Sequence, residues 1–159
     1  MRLEIITVGT LKERYWKDGV AEYTKRLGAY AQVHIREITE ERLPAEPTPA
    51  QIAQALEKEA VRIESALPKS GTLIALCIEG KTYSSPEFAD ALEKWFVAGG
   101  GTVSLLIGSS YGLAPSLKQK ADAQLSFSEL TFPHQLMRVI LVEQLYRAFR
   151  ILHKEPYHK

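Results

Sequence analysis

From one end of the chain to the other, short apolar runs alternate with stretches whose apolar residues recur every three or four positions. That alternation admits few architectures besides a parallel sheet covered by helices. LEIITVG (3–9) reads as a strand, and Trp16, Val20, Tyr23, Leu27 and Tyr30 then fall on one helical stripe, which reads as core. QVHIREI (32–38) alternates as a second strand. ERLPAEPTP (41–49) is a loop whose Thr48-Pro49 suits an N-cap and first helical position, and the helix it opens carries Ile52, Leu56, Ala60, Ile63 and Leu67. TLIALCI (72–78) is a third strand, followed by a turn at Glu79-Gly80-Lys81 and a helix that Ser85-Pro86 opens and Gly99 to Gly101 close. Then come strand TVSLLIG (102–108), loop SSYG, a short helix from Leu113 to about Asp122, a short strand AQLSFS (123–128), loop ELTFP, and a long helix from His134 to about His153.

TLIALCI and VSLLI are apolar throughout, as strands covered on both faces should be. The expected fold class is therefore α/β, a single domain over residues 1–159 with a parallel sheet and helices on both faces. In such sheets ligands bind outside the carboxyl ends of the strands. Those ends are Gly9 to Lys12, Glu79 to Ser85, Gly108 to Leu113 and Ser128 to Pro133.

Twenty Lys+Arg against nineteen Asp+Glu give a formal charge of +1, so no overall excess of charge announces nucleic acid or an anionic membrane. The distribution is less even: residues 36–65 are rich in glutamate, and residues 134–159 carry Arg138, Arg147, Arg150, Lys154 and Lys159 against Glu143 and Glu155. The single cysteine, Cys77, lies in an apolar run and reads as a buried structural thiol in a reducing compartment. The amino end has no basic segment followed by an apolar one, and no apolar run reaches the ~18 residues of a membrane span. A cytoplasmic protein is expected.

Gly108-Ser109-Ser110-Tyr111-Gly112 follows a buried strand and precedes a helix, the setting of a G-x-S-x-G nucleophile elbow. In a serine hydrolase Ser110 would attack, with Asp122 or Glu129 and His134 or His153 completing the triad. The same residues also read as a plain glycine-rich turn, or as a ligand loop whose Gly108 and Gly112 let the backbone approach a cofactor. The histidines show neither HExxH spacing nor a cysteine partner, which points away from a metal site.

At 100° per residue, Glu143, Arg147, Arg150 and Lys154 share a polar sector of the last helix and read as a solvated face. His134 and Arg138 fall opposite, with Leu141, Leu145, Phe149 and Leu152. An arginine there needs either a buried carboxylate partner or an anionic ligand. Apolar residues cover so much of this helix that a second subunit is expected against it. After Pro156 the terminal Tyr157-His158-Lys159 reads either as a frayed end or as an aromatic, an imidazole and a cation that serve RNA.

The runs LSFSELTFPHQLMR (125–138), EQLYRAF (143–149) and PYHK (156–159) resemble the RlmH family of ribosomal RNA large subunit methyltransferases, of the SPOUT or α/β-knot class. The similarity extends to Val8-Gly9-Thr10-Leu11 and to Tyr15-Trp16, Glu22-Tyr23 and Arg26-Leu27. It implies S-adenosylmethionine-dependent methylation of ring N3 of a pseudouridine in 23S rRNA on assembled ribosomes, without metal or membrane. It also implies a C-terminal trefoil knot, and a homodimer in which one subunit's tail completes the other's site. Matched residue by residue, Leu76, Gly108, Phe127, Ser128, Glu129, Leu130, Thr131 and Phe132 are expected to line the cofactor site. His158 or His134 is expected to handle the N3 proton, Tyr157 to contact the base, and Arg138 to hold a phosphate or the developing anion. The glutamate-rich residues are expected to face away from RNA. The sequence departs from the family at Ser109, where a glycine is usual; its Cβ is expected to tighten the cofactor loop. A non-catalytic RNA-binding knot protein is the remaining alternative.

Overall fold

A computed structural model describes residues 1–159. Five strands, β1 (Arg2–Val8), β2 (Gln32–Ile38), β3 (Thr72–Lys81), β4 (Thr102–Ile107) and β5 (Ala123–Leu125), form one sheet in the order β2-β1-β4-β3-β5. Every pairing is parallel. The crossovers carry α1 (Arg14–Leu27), α2 (Pro49–Ala66), α3 (Ser85–Ala98) and α4 (Pro115–Lys120), and α5 (His134–Leu152) follows β5. No helix is long and apolar enough to cross a membrane.

The two-residue period of the central strands feeds two cores. Leu3, Ile5, Val103, Leu105 and Ile74 meet α1, α3 and α5 on one face, while Ile6, Val8, Leu106, Leu73 and Ala75 meet α2 and α4 on the other. Local chemistry fixes the helix starts. Thr48 caps α2 with Gln51 and Ser84 caps α3 with Glu87, each as a reciprocal capping box with proline in the first turn.

Three boundaries and two burial readings differ from the sequence reading. β3 runs through the expected turn to Lys81, because Lys81 regains pairing with Leu125 of β5 after a register shift. α4 and β5 are shorter than expected, and the chain after Leu125 leaves the sheet as loop. The α1 stripe is core only at Val20 and Leu27; Trp16, Tyr23 and Tyr30 stay partly exposed, since α1 packs on α5 with no further layer outside it. Cys77 is half-buried rather than enclosed, and burial raises its thiol pKa.

Candidate active site

The loops after β3, β4 and β5 converge with the first turn of α5 on a cavity of about 770 Å³, a size that suits a cofactor-sized ligand. Leu76, Ile107, Leu125, Phe127 and Met137 supply apolar wall; Ser126, Ser128 and Thr131 supply polar groups. Gly108 is required for the shape of the β4 loop. A Cβ there would sit 2.1 Å from the Gly112 carbonyl oxygen, so only glycine lets the two ends of the loop meet. Gly112 has φ +84°, and its N–H donates to the Ser109 carbonyl at 2.9 Å. One lysine, Lys118, lines the cavity, and it pairs with Glu79 on the same wall.

Of the expected cofactor residues, Leu76, Gly108, Phe127, Ser128, Leu130, Thr131 and Phe132 line this cavity. Glu129 does not; it is exposed on the outer side of the loop. Among the expected catalytic residues, His134 is in the wall, whereas Arg138, Tyr157 and His158 are not.

Arg138 is 3% exposed one turn behind His134. Its NH1 donates to Glu37 Oε1 at 2.8 Å, and its NH2 donates to the carbonyls of Val8 at 2.9 Å and Gly9 at 2.7 Å. The guanidinium thus has a carboxylate partner, as the sequence left open, but Glu37 is exposed rather than buried, and Arg138 clamps the carboxyl end of β1 to α5. Its Nε–H has no partner. Burial pulls its pKa down, opposed by the charge and hydrogen bond of Glu37 and by the charge of Glu40.

The His134 imidazole is held below the usual histidine range, first by burial and then by the Arg138 charge, with Glu40 opposing. It is therefore neutral at pH 7, and its buried Nδ1 has no partner. Glu37 and Glu40, from the glutamate-rich segment, thus lie near the first turns of α5. Sequence reasoning missed both, because nothing local to β2 announces a partner on a helix a hundred positions later.

The tail is docked, not frayed. Tyr157 donates its hydroxyl to Glu143 Oε1 at 3.0 Å, packs edge-on to Tyr146, and lies under Arg147, whose guanidinium carbon is 4.8 Å from the ring centroid. Burial first, then Tyr23 and Glu143, push its phenol well above the usual tyrosine range, so it stays neutral. Glu143 pairs with Arg147 at 2.6 Å as expected, but both are largely covered, so this sector of α5 is not simply solvated. His158 and Lys159 are exposed.

The hydrolase geometry is not assembled. Ser110 is exposed with no histidine or carboxylate hydrogen-bonded to it, and Asp122 is engaged by the Leu73 N–H at 2.8 Å.

The family described as "Predicted SPOUT methyltransferase" matches residues 1–158. The chain belongs to this family. A curated relative of this SPOUT methyltransferase, the "Ribosomal RNA large subunit methyltransferase H" of Listeria welshimeri, is 51% identical over 159 residues, covering all of both chains. The protein of the same name from Bacillus pumilus is 50% identical over the same span. Among solved structures, a probable methyltransferase from Bordetella pertussis Tohama I superposes with TM-score 0.56 at 15% identity, over 92% of this chain and 95% of that one. The putative methyltransferase Lpg2936 from Legionella pneumophila, in complex with the bound cofactor SAM, gives 0.50 at 15% identity, over 94% and 66%. These likenesses confirm the fold of this SPOUT methyltransferase.

Proposed function

We propose that the chain methylates ring N3 of a pseudouridine in 23S rRNA within assembled ribosomes, with S-adenosylmethionine as donor, in the cytoplasm. The observation that carries this reading is full-length identity of about one half to relatives that bear the name of a large-subunit rRNA methyltransferase.

The residues present fit the donor. Phe127, Leu76 and Leu130 offer apolar surface to an adenine, and loop amides and carbonyls offer hydrogen bonds to its edge. The wall's one lysine, balanced by Glu79, suits a ligand that carries both an ammonium and a carboxylate and no phosphate. When bound, S-adenosylmethionine supplies a methyl group already activated on a sulfonium, so the chain must mainly align the acceptor and accept its weakly acidic N3 proton.

The neutral His134 imidazole in the cavity wall is one acceptor for that proton. Arg138 acts on the same step through His134, keeping the imidazole neutral by its charge and fixing α5 against Gly9; its remaining Nε–H is a donor for developing negative charge. Tyr157 contacts the base and His158 is the other candidate proton acceptor. Both lie outside the cavity of their own chain, which supports a homodimer in which each tail completes the partner's site. The final helix threading behind the loops after β4 and β5 as a trefoil knot is part of the same proposal.

The test is incubation of the protein and tritiated S-adenosylmethionine with ribosomes that lack the modification, and separately with free rRNA, followed by mapping of the labelled base. Label at one 23S pseudouridine in ribosomes is expected. Intact donor binding with no label in either sample would mean that the substrate or the activity is misassigned, and loss of donor binding would favour a non-catalytic RNA-binding protein.

A further inference from the structure

The β4 loop carries one side chain that neither the fold nor the proposed chemistry uses. Tyr111 is 47% exposed, and its ring belongs to neither core. Single apolar residues scattered over a surface need no explanation, but these are not scattered. Of the eight large hydrophobic residues that stay exposed in this chain, three, Ile78, Tyr111 and Leu130, line the one cavity. They come from three separate segments, the carboxyl end of β3 and the loops after β4 and β5, so closeness in sequence does not account for their meeting.

The turn that presents Tyr111 is fixed. The Gly112 N–H donates to the Ser109 carbonyl at 2.9 Å, the same two residues form an isolated antiparallel bridge, and Gly112 takes φ +84°. Ser110 and Tyr111 therefore hold the two central positions of a tight turn. A ring held this way loses little freedom when a flat partner lies on it. The cavity is also short of free positive charge. Its lysine, Lys118, is paired with Glu79, and no arginine lines it. A phosphate would find no unpaired lysine or arginine there, whereas the uncharged face of a base would find an aromatic ring and aliphatic side chains on the same wall. A formal charge of +1 over the whole chain suits recognition through bases more than through phosphates.

We propose that Tyr111 is a substrate-binding residue: its ring stacks on an unpaired nucleobase of the RNA where the RNA meets the mouth of the cavity. The elbow-like Gly108 to Gly112 motif then serves as a rigid mount for an aromatic platform, and its serines attack nothing. The inference rests on the cavity being the site of methyl transfer to rRNA.

The test measures methylation of unmodified ribosomes by Tyr111→Ala, Tyr111→Leu and Tyr111→Phe, with the KM for ribosomes separated from kcat and S-adenosylmethionine affinity followed by calorimetry. Loss of one stacked base should raise the ribosome KM of Tyr111→Ala by about tenfold to a hundredfold, with kcat changed by less than about threefold. Tyr111→Leu restores apolar bulk without a flat π-face and is expected to lose nearly as much. Tyr111→Phe keeps the face and is expected to recover to within about threefold of wild type. S-adenosylmethionine affinity should fall by less than about threefold in all three, since the ring meets the RNA and not the donor. A wild-type KM for Tyr111→Ala would overturn the proposal. So would rescue by leucine equal to that by phenylalanine, which describes a plain apolar cover, or equal loss in the alanine and phenylalanine variants, which describes a hydroxyl contact. A fall in S-adenosylmethionine affinity as large as the rise in KM would give the ring to the donor and refute it as well. Should Tyr111→Ala fail to fold, the leucine and phenylalanine variants decide: equal KM values refute stacking. A wild type that leaves ribosomes unlabelled defeats the rRNA reading together with this proposal, whereas a labelling wild type matched by Tyr111→Ala defeats only the role of Tyr111.

Discussion

At the amino end of β1 a single anion, Glu4, is ringed by Arg2 at 2.5 Å, His34 at 2.8 Å and Arg36 at 3.4 Å, whereas at the carboxyl end a single cation, Arg138, leans on one carboxylate and two backbone carbonyls. Both charges are buried. Around Glu4 the partners are half-exposed side chains of β1 and β2 that can follow the carboxylate at little entropic cost. Burial pushes that carboxyl up, but hydrogen bonds from His34 and Arg2 and the charges of Arg2 and Arg36 outweigh it and hold the group below the usual carboxylate range. At the other end more is left open: Arg138 Nε and His134 Nδ1 are both buried without hydrogen-bond partners, whereas around Glu4 only Oε2 is, and that oxygen still has the Arg36 guanidinium 3.4 Å away. A fold tolerates unsatisfied polar atoms in such density where a ligand or a reaction uses them. On the proposed reading, the amino end serves the fold and the carboxyl end serves the chemistry.

The largest effect should come from cutting the clamp at the carboxyl end. Arg138→Leu frees the carbonyls of Val8 and Gly9 and lets β1 move relative to His134, so methyl transfer on ribosomes should fall by roughly 100-fold or more. A rate within tenfold of wild type would mean that the guanidinium is only a packing element. Gly108→Ala should act almost as strongly by a different route. Its Cβ cannot share space with the Gly112 carbonyl, so the β4 loop must open and donor affinity should drop by at least tenfold in calorimetry.

A smaller effect sharpens the electrostatic half of the contrast. Burial and the Arg138 charge lower the pKa of His134, so the rate should stay level above that pKa and fall as pH drops through it and the imidazole gains a proton. In NMR titrations His134 should take up its proton at lower pH than an ordinary histidine, and Arg138→Met should move that titration upward. An unmoved titration would remove Arg138 from the account of His134.

The smallest effect on function belongs to the amino end. Glu4→Gln should lower stability at pH 7 by about 1–3 kcal/mol, through loss of charge-assisted hydrogen bonds, and leave the methylation rate within twofold of wild type. Because the folded pKa of Glu4 lies below its unfolded value, its contribution is complete above the unfolded carboxylate range and is lost as pH falls through the folded pKa. Denaturant midpoints against pH should accordingly fall less steeply on the acid side for Glu4→Gln than for wild type.

What the sequence revealed follows the range of the forces involved. Periodicity placed all ten elements within a few residues, because the alternation of β1, β3 and β4 and the capping pairs at Thr48 and Ser84 act over one or two turns. The same 3.6-residue reading put Arg138 on the buried side of α5, where it lies. Partners were illegible: Glu37 meets Arg138 across 101 positions, and only the parallel order of β2, β1 and β4 brings them together. Tyr157 was placed by the resemblance in a catalytic role, yet within one chain it binds Glu143, a contact that no local pattern announces.

The most direct measurement is the single-turnover methylation rate on unmodified ribosomes for wild type, Glu4→Gln and Arg138→Leu, each at saturating S-adenosylmethionine. A rate for Glu4→Gln within twofold of wild type, beside a loss of roughly 100-fold for Arg138→Leu, is the expected result. Equal losses for the two variants, or none for Arg138→Leu, would contradict the division of the sheet into a structural end and a catalytic one.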